Sequence, residues 1–72
     1  METEVLEYLI KENTINNHRC LNTVSMIYPG LKNKSGGKPA LVKSLNNLVK
    51  KKLIIKCVLN SGTVTFKALS PQ

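Results

Sequence analysis

Pro39-Ala40-Leu41-Val42-Lys43-Ser44-Leu45-Asn46-Asn47-Leu48-Val49-Lys50 is the stretch on which the fold turns. Leu41, Val42, Leu45, Leu48 and Val49 recur at helical spacing and make one apolar stripe. Lys43, Asn46, Asn47 and Lys50 make the opposite stripe, at intervals of three and four. Pro39 suits the first turn, where a missing amide costs nothing. Lys50, Lys51 and Lys52 put positive charge at the end the helix dipole favours. Beyond them, Leu53 to Leu59 is rich in Ile, Val and Leu. From Thr63 to Leu69, Val64, Phe66 and Ala68 alternate with Thr63, Thr65 and Lys67. Asn60-Ser61-Gly62 supplies turn chemistry between the two runs, so a β-hairpin is expected after the helix.

Working back from Pro39, residues 31–38 read as a flexible cationic loop. A second helix is expected from Asn16 or Asn17, either of which can cap it, with Cys20, Leu21, Val24, Ile27 and Tyr28 at helical period. Pro29 and Gly30 end it. The first helix spans Glu2 to Glu12, with Thr3 as cap and Val5, Leu6, Leu9 and Ile10 on its apolar face; Asn13 and Thr14 stop it. Ile15 stands alone among polar residues, as a very short strand pairing with the hairpin would. Residues 1–2 and 70–72 are expected to fray. The order predicts an α+β fold, a winged helix: a three-helix helix-turn-helix core with a C-terminal β-hairpin wing, one domain over residues 1–72.

Charge narrows the function. The chain has 72 residues, 11 Lys and Arg against 4 acidic residues, and a net charge of +7. The acids are Glu2, Glu4, Glu7 and Glu12, so residues 13–72 hold ten cations and no side-chain carboxylate. Such a segment cannot neutralise itself, and a polyanion is its natural partner. It also offers no carboxylate as general acid, general base or hard-metal ligand, so the chain is not expected to be an enzyme. With 42% apolar residues there is material for one small core and none for a deep substrate cleft.

Other signals are weak. No apolar run is long enough for a membrane span, and the acidic, amphipathic start is unlike a signal peptide. Gly36-Gly37-Lys38 lacks the spaced glycine and the Ser or Thr of a P-loop. His18 with Cys20 and Cys57 does not make a zinc motif, so no metal, cofactor or catalytic residue is expected. The two cysteines suggest an intracellular, reducing compartment and two small buried thiols, with a Cys20–Cys57 bridge as the alternative.

From His18 onward the chain resembles the globular domain of linker histones. The resemblance is carried by His18-Arg19-Cys20-Leu21-Asn22-Thr23-Val24-Ser25-Met26-Ile27-Tyr28, by Leu41-Val42-Lys43-Ser44-Leu45-Asn46-Asn47-Leu48-Val49, by Lys52-Leu53-Ile54, and by Ser61-Gly62-Thr63-Val64-Thr65-Phe66-Lys67-Ala68. It covers about three quarters of the chain and consists mostly of core periodicity and lysines. The wing has one glycine where that family has several, and these 72 residues include none of the long lysine-rich tails. The chain is similar, more distantly, to winged-helix modules of MYST-type acetyltransferases that bind CpG-rich DNA.

The linker-histone resemblance implies binding of duplex DNA through the third helix, with a second basic surface touching another stretch of backbone. Carried over by position, the third-helix contacts are Lys43, Asn46, Asn47 and Lys50, and the wing contacts are Lys56 and Lys67. Arg19 could serve either surface. Lys51 adds to the helix end, and Lys32, Lys34 and Lys38 could grip backbone from the loop. Asparagine has the donor–acceptor pair that reads adenine, but no arginine lies on this face to read guanine. Affinity is therefore expected to be mostly electrostatic with weak sequence preference. Five to seven phosphate contacts would give a log K against log salt slope of roughly −4 to −6.

The expected setting is chromatin association or transcription regulation by a monomer within a larger complex. That places it in the nucleus, or in the nucleoid or cytoplasm for a viral or prokaryotic protein. The alternative is a protein-interaction winged helix docking on an acidic partner, motivated by a separate acidic face on the first helix and by Val58 and Leu69 as exposed apolar residues.

Overall fold

The computed structural model describes residues 1–69; the expected fraying of 70–72 lies outside them. It is a small α+β domain. Three helices, α1 (Glu2–Ile15), α2 (Val24–Ile27) and α3 (Gly37–Lys50), precede an antiparallel hairpin of β1 (Ile54–Val58) and β2 (Val64–Ala68). A 3-10 turn, Tyr28–Gly30, extends α2. Val5 and Leu9 from α1, Ile27 from α2, Leu41, Leu45 and Leu48 from α3, and Ile54, Phe66 and Ala68 from the hairpin form the core. Burying each of the larger aliphatic side chains stabilises the fold by about 1.5–3 kcal/mol before entropy is counted. Of the stripe predicted on α3, Leu41, Leu45 and Leu48 are buried, Val49 packs at the edge, and Val42 is exposed.

α1 is longer than its sequence pattern suggests at both ends. The Met1 carbonyl accepts from the Val5 amide at 3.0 Å, so the helix starts before Thr3, which lies inside the first turn and does not cap it. At this end, where fraying is expected, Met1 packs against the core and Glu2 pairs with Lys51. At the other end Asn13 continues the Val5–Leu9 stripe. It is buried, and its Nδ2 donates to the Ala68 carbonyl of β2. That tertiary bond outweighs asparagine's poor helix propensity. Ile15 is therefore helical and exposed, not a strand.

The stop comes at Asn16, and Asn17 and His18 take left-handed φ values of 53° and 63°. The His18 amide returns to the Asn13 carbonyl at 2.7 Å, the six-to-one bond of a Schellman ending. Asn17 thus terminates α1 and does not cap α2. α2 is a single turn whose cap is Thr23; the Thr23 Oγ1 accepts from the Met26 amide at 3.3 Å.

The residues between α1 and α2 run along the hairpin. The Phe66 amide donates to the Asn22 carbonyl at 2.8 Å, and Asn22 and Phe66 form an antiparallel bridge. A third chain does pair with β2, as expected, but Asn22 provides it and Ile15 does not. β1 pairs with β2 in the register Ile54 to Ala68, Lys56 to Phe66 and Val58 to Val64. The turn matches Asn60-Ser61-Gly62: the Gly62 amide donates to the Leu59 carbonyl at 2.8 Å, and Gly62 takes φ 87°, left-handed backbone that glycine accepts without strain.

The segment before α3 packs against α1. Leu31 is buried in the core. Glu4 of α1 accepts from the Lys32 and Asn33 amides, and the Asn33 Oδ1 accepts from the Ser35 amide at 3.0 Å. Gly30 lies so close to Tyr8 that a Cβ there would sit 2.4 Å from the ring.

Candidate nucleic-acid interface

α3 packs against α1 and β1, and this decides which of its polar residues face out. Lys43, Asn46 and Lys50 are exposed, as is Lys38 in the first turn. Their spacing puts Lys43, Asn46 and Lys50 on one stripe. None of these lysines has a salt bridge among the described residues; the one ion pair there is Lys51 with Glu2, at 2.7 Å. α3 ends in a second Schellman closure, with the Leu53 amide bonded to the Leu48 carbonyl at 3.1 Å and Lys52 in left-handed backbone at φ 61°.

Two candidates on this helix are engaged elsewhere. The Asn47 Nδ2 donates to the Glu2 Oε2 at 3.2 Å, while the Lys51 Nζ donates to the Glu2 Oε1. Glu2 thus joins the start of α1 to the end of α3. The Lys51 hydrogen bond, and after it that of Asn47, hold the Glu2 carboxyl below its ordinary pKa. Asn47 is not an open base reader in this conformation. Sequence spacing missed this because Asn47 lies on the flank of the polar stripe, and only the packing of α1 shows which flank is covered.

The two wing candidates lie on opposite faces of the hairpin. Residues paired across an antiparallel ladder share a face, and successive residues alternate. Lys56 pairs with Phe66 and so shares the core-side face, yet it is exposed. Lys67 pairs with Ile55 on the outer face, where its Nζ donates to the His18 carbonyl at 2.9 Å. Exposed Arg19 lies one residue along the chain from that bond. Lys56 and Lys67 therefore cannot act as one patch.

The loop cations, Lys32 and Lys34, are exposed on a backbone tethered to Glu4, and the Lys34 ammonium lies 5.7 Å above the Tyr28 ring. Tyr8 packs at the core edge, and its hydroxyl donates to the Met26 carbonyl at 3.3 Å. Burial, and secondarily the charge of Glu12, push its pKa up. Cys20 and Cys57 are half-buried free thiols, less enclosed than expected. Among the described residues no group of three or more His, Cys, Asp or Glu is placed to hold a metal ion. No helix there is long and apolar enough to cross a membrane.

What the arrangement offers is a stripe of exposed lysines on α3, with Lys56 on the adjoining strand and Lys67 on the other face of the hairpin; Lys32 and Lys34 lie beside Glu4 of α1 and Tyr28. It can neutralise anions spaced along a backbone. Comparison with known proteins adds nothing to this: no family model matches the chain, and no curated protein or solved structure matches it.

Proposed function

We propose that the chain is a winged-helix domain that binds double-stranded DNA through α3, largely by phosphate contact and with weak sequence preference. Helix order, the terminal hairpin and the Asn22 bridge to β2 support the winged-helix assignment. The observation that carries the reading is the stripe of Lys43 and Lys50 on α3, exposed and without an ion pair among the described residues, in a segment that has no carboxylate of its own. Lys38, Lys43 and Lys50 meet phosphates, and Asn46 is the residue left to touch a base edge. Lys56 extends the contact from the hairpin. Lys67, on the far face, reaches DNA only as a separate second surface. The setting is chromatin association or transcription regulation, with a nuclear location in a eukaryote, and the protein is not an enzyme.

A fluorescence-anisotropy titration with a short generic duplex over a range of salt tests this, together with chemical-shift mapping. Binding that weakens steeply with salt, with shifts centred on 38–50, supports it. Binding indifferent to salt, or shifts that avoid α3, refutes it.

The second reading, docking on a protein partner, has Val58 in its favour, 63% exposed beside exposed Leu59 at the turn end of the hairpin, while exposed Leu69 lies at the opposite end of the ladder. It loses part of its original motive: Glu2 is taken up by Asn47 and Lys51, and Glu4 by the loop amides. Capture of a protein with no DNA binding at low salt would favour it.

A further inference from the structure

The outer face of the hairpin carries chemistry that DNA binding does not use. Cys57 and Thr65 are paired across the ladder and so lie side by side on that face. The chain that follows α1 crosses above them. There the Thr65 Oγ1 lies 3.3 Å from the Cys20 Sγ and 3.2 Å from the Cys57 carbonyl oxygen. Thr65 is buried although it faces away from the core, because this crossing segment covers it. Cys57 is the ladder partner of Thr65, so the Cys20 thiol, in contact with Thr65, lies close to the Cys57 thiol. Burial first, and then that thiol, push its pKa up, while Thr65 and the charge of Lys67 act the other way. Two cysteines far apart in sequence therefore meet on one threonine, both half-buried and reduced.

We propose that Cys20 and Cys57 are a modification site: in the presence of a small disulfide oxidant they close into an intramolecular disulfide that staples the α1–α2 connection to β1. One cysteine gives up its proton and, as thiolate, attacks a sulfur of oxidised glutathione. A mixed disulfide forms, and one glutathione leaves as thiolate and takes up a proton. The second cysteine, deprotonated in turn, attacks the protein sulfur of that mixed disulfide and expels the other glutathione. Two electrons pass from the cysteine pair to the oxidant, which ends as two thiols. Because the attacking species is a thiolate and the Cys20 pKa is raised, closure speeds up as pH rises. The staple removes freedom from the unfolded chain over a long loop and fixes Arg19 and His18 against the hairpin.

The test is incubation of the chain in buffers of graded glutathione ratio, followed by intact mass, peptide mapping and thermal unfolding. Expected are the loss of two hydrogens, a Cys20–Cys57 cross-linked peptide, and a midpoint raised by more than about 10 °C. The Cys57→Ser variant should instead stop at a glutathione adduct on Cys20 with no such rise. Glutathione adducts on both cysteines of the unaltered chain would overturn the proposal. So would cross-linked dimers in place of the internal bridge, or a bridge that leaves the midpoint unchanged. None of these readouts depends on DNA, so the inference stands or falls apart from the binding function.

Discussion

Replacing Lys43 and Lys50 together by alanine isolates the electrostatics on which the DNA-binding reading depends. Lys38, Lys43, Lys50, Lys52 and Lys56 are exposed on or beside the α3 face, whereas Lys51 is held by Glu2 and Lys67 lies on the other face of the hairpin. Each phosphate neutralised contributes about −0.9 to the slope of log K against log salt, so five contacts give about −4.5 and three give about −2.7. Between about 50 and 200 mM salt the unaltered protein should then lose affinity about 500-fold, and the double variant about 40-fold.

The assay is anisotropy of a labelled duplex at several salt concentrations, with thermal midpoints as a control. Both side chains are exposed, so the midpoint should hardly move. Lys11→Ala, which removes an exposed cation from α1 without touching α3, should leave the slope unchanged. An unchanged slope in the double variant would show that phosphates are met elsewhere or not at all, and the reasoning would fail.

Other outcomes concern the fold. Leu45→Ala, at a fully buried position in the core, should cost about 3–4 kcal/mol in denaturant unfolding; a cost below about 1 kcal/mol would mean the core is not packed as described. Lys52→Gly should stabilise by about 0.5–1 kcal/mol, because Lys52 occupies left-handed backbone where glycine is unstrained; a loss of stability would contradict that φ. Glu2 has a folded-state pKa below its unfolded value, so its contribution to stability is present above the ordinary carboxylate range. It is lost as pH falls through the lowered folded value, chiefly below the ordinary value of 4.5. Acid titration of Glu2→Gln against the unaltered chain should therefore show a stability gap at neutral pH that closes in acid. A gap that widens as pH falls would refute the Glu2 contacts.

Local periodicity was sufficient for the elements whose partners lie close by in sequence. The alternation in 63–69, the glycine at the hairpin turn and the spacing of Leu41, Leu45 and Leu48 each state a local preference that the fold keeps, because burial of one stripe and one strand face satisfies it. The charge asymmetry, too, is a property of the chain alone. What the sequence could not decide are the places where a distant group outbids local propensity. Asn13 looks like a helix stop until its amide finds the Ala68 carbonyl, and Ile15 then has no strand to form. Asn22 becomes the third chain beside β2 only because α1 ends where it does.

The same holds for the site. Helical spacing places Asn46 and Asn47 together, yet the packing of α1 leaves the first in solvent and ties the second to Glu2. Residue type marks Lys56 and Lys67 alike, but strand parity sends them to opposite faces. A sequence records which groups are available, and tertiary packing decides which remain unpaired and which are consumed within the fold. The physical reason is that contacts between elements depend on register and helix rotation, neither of which local spacing contains.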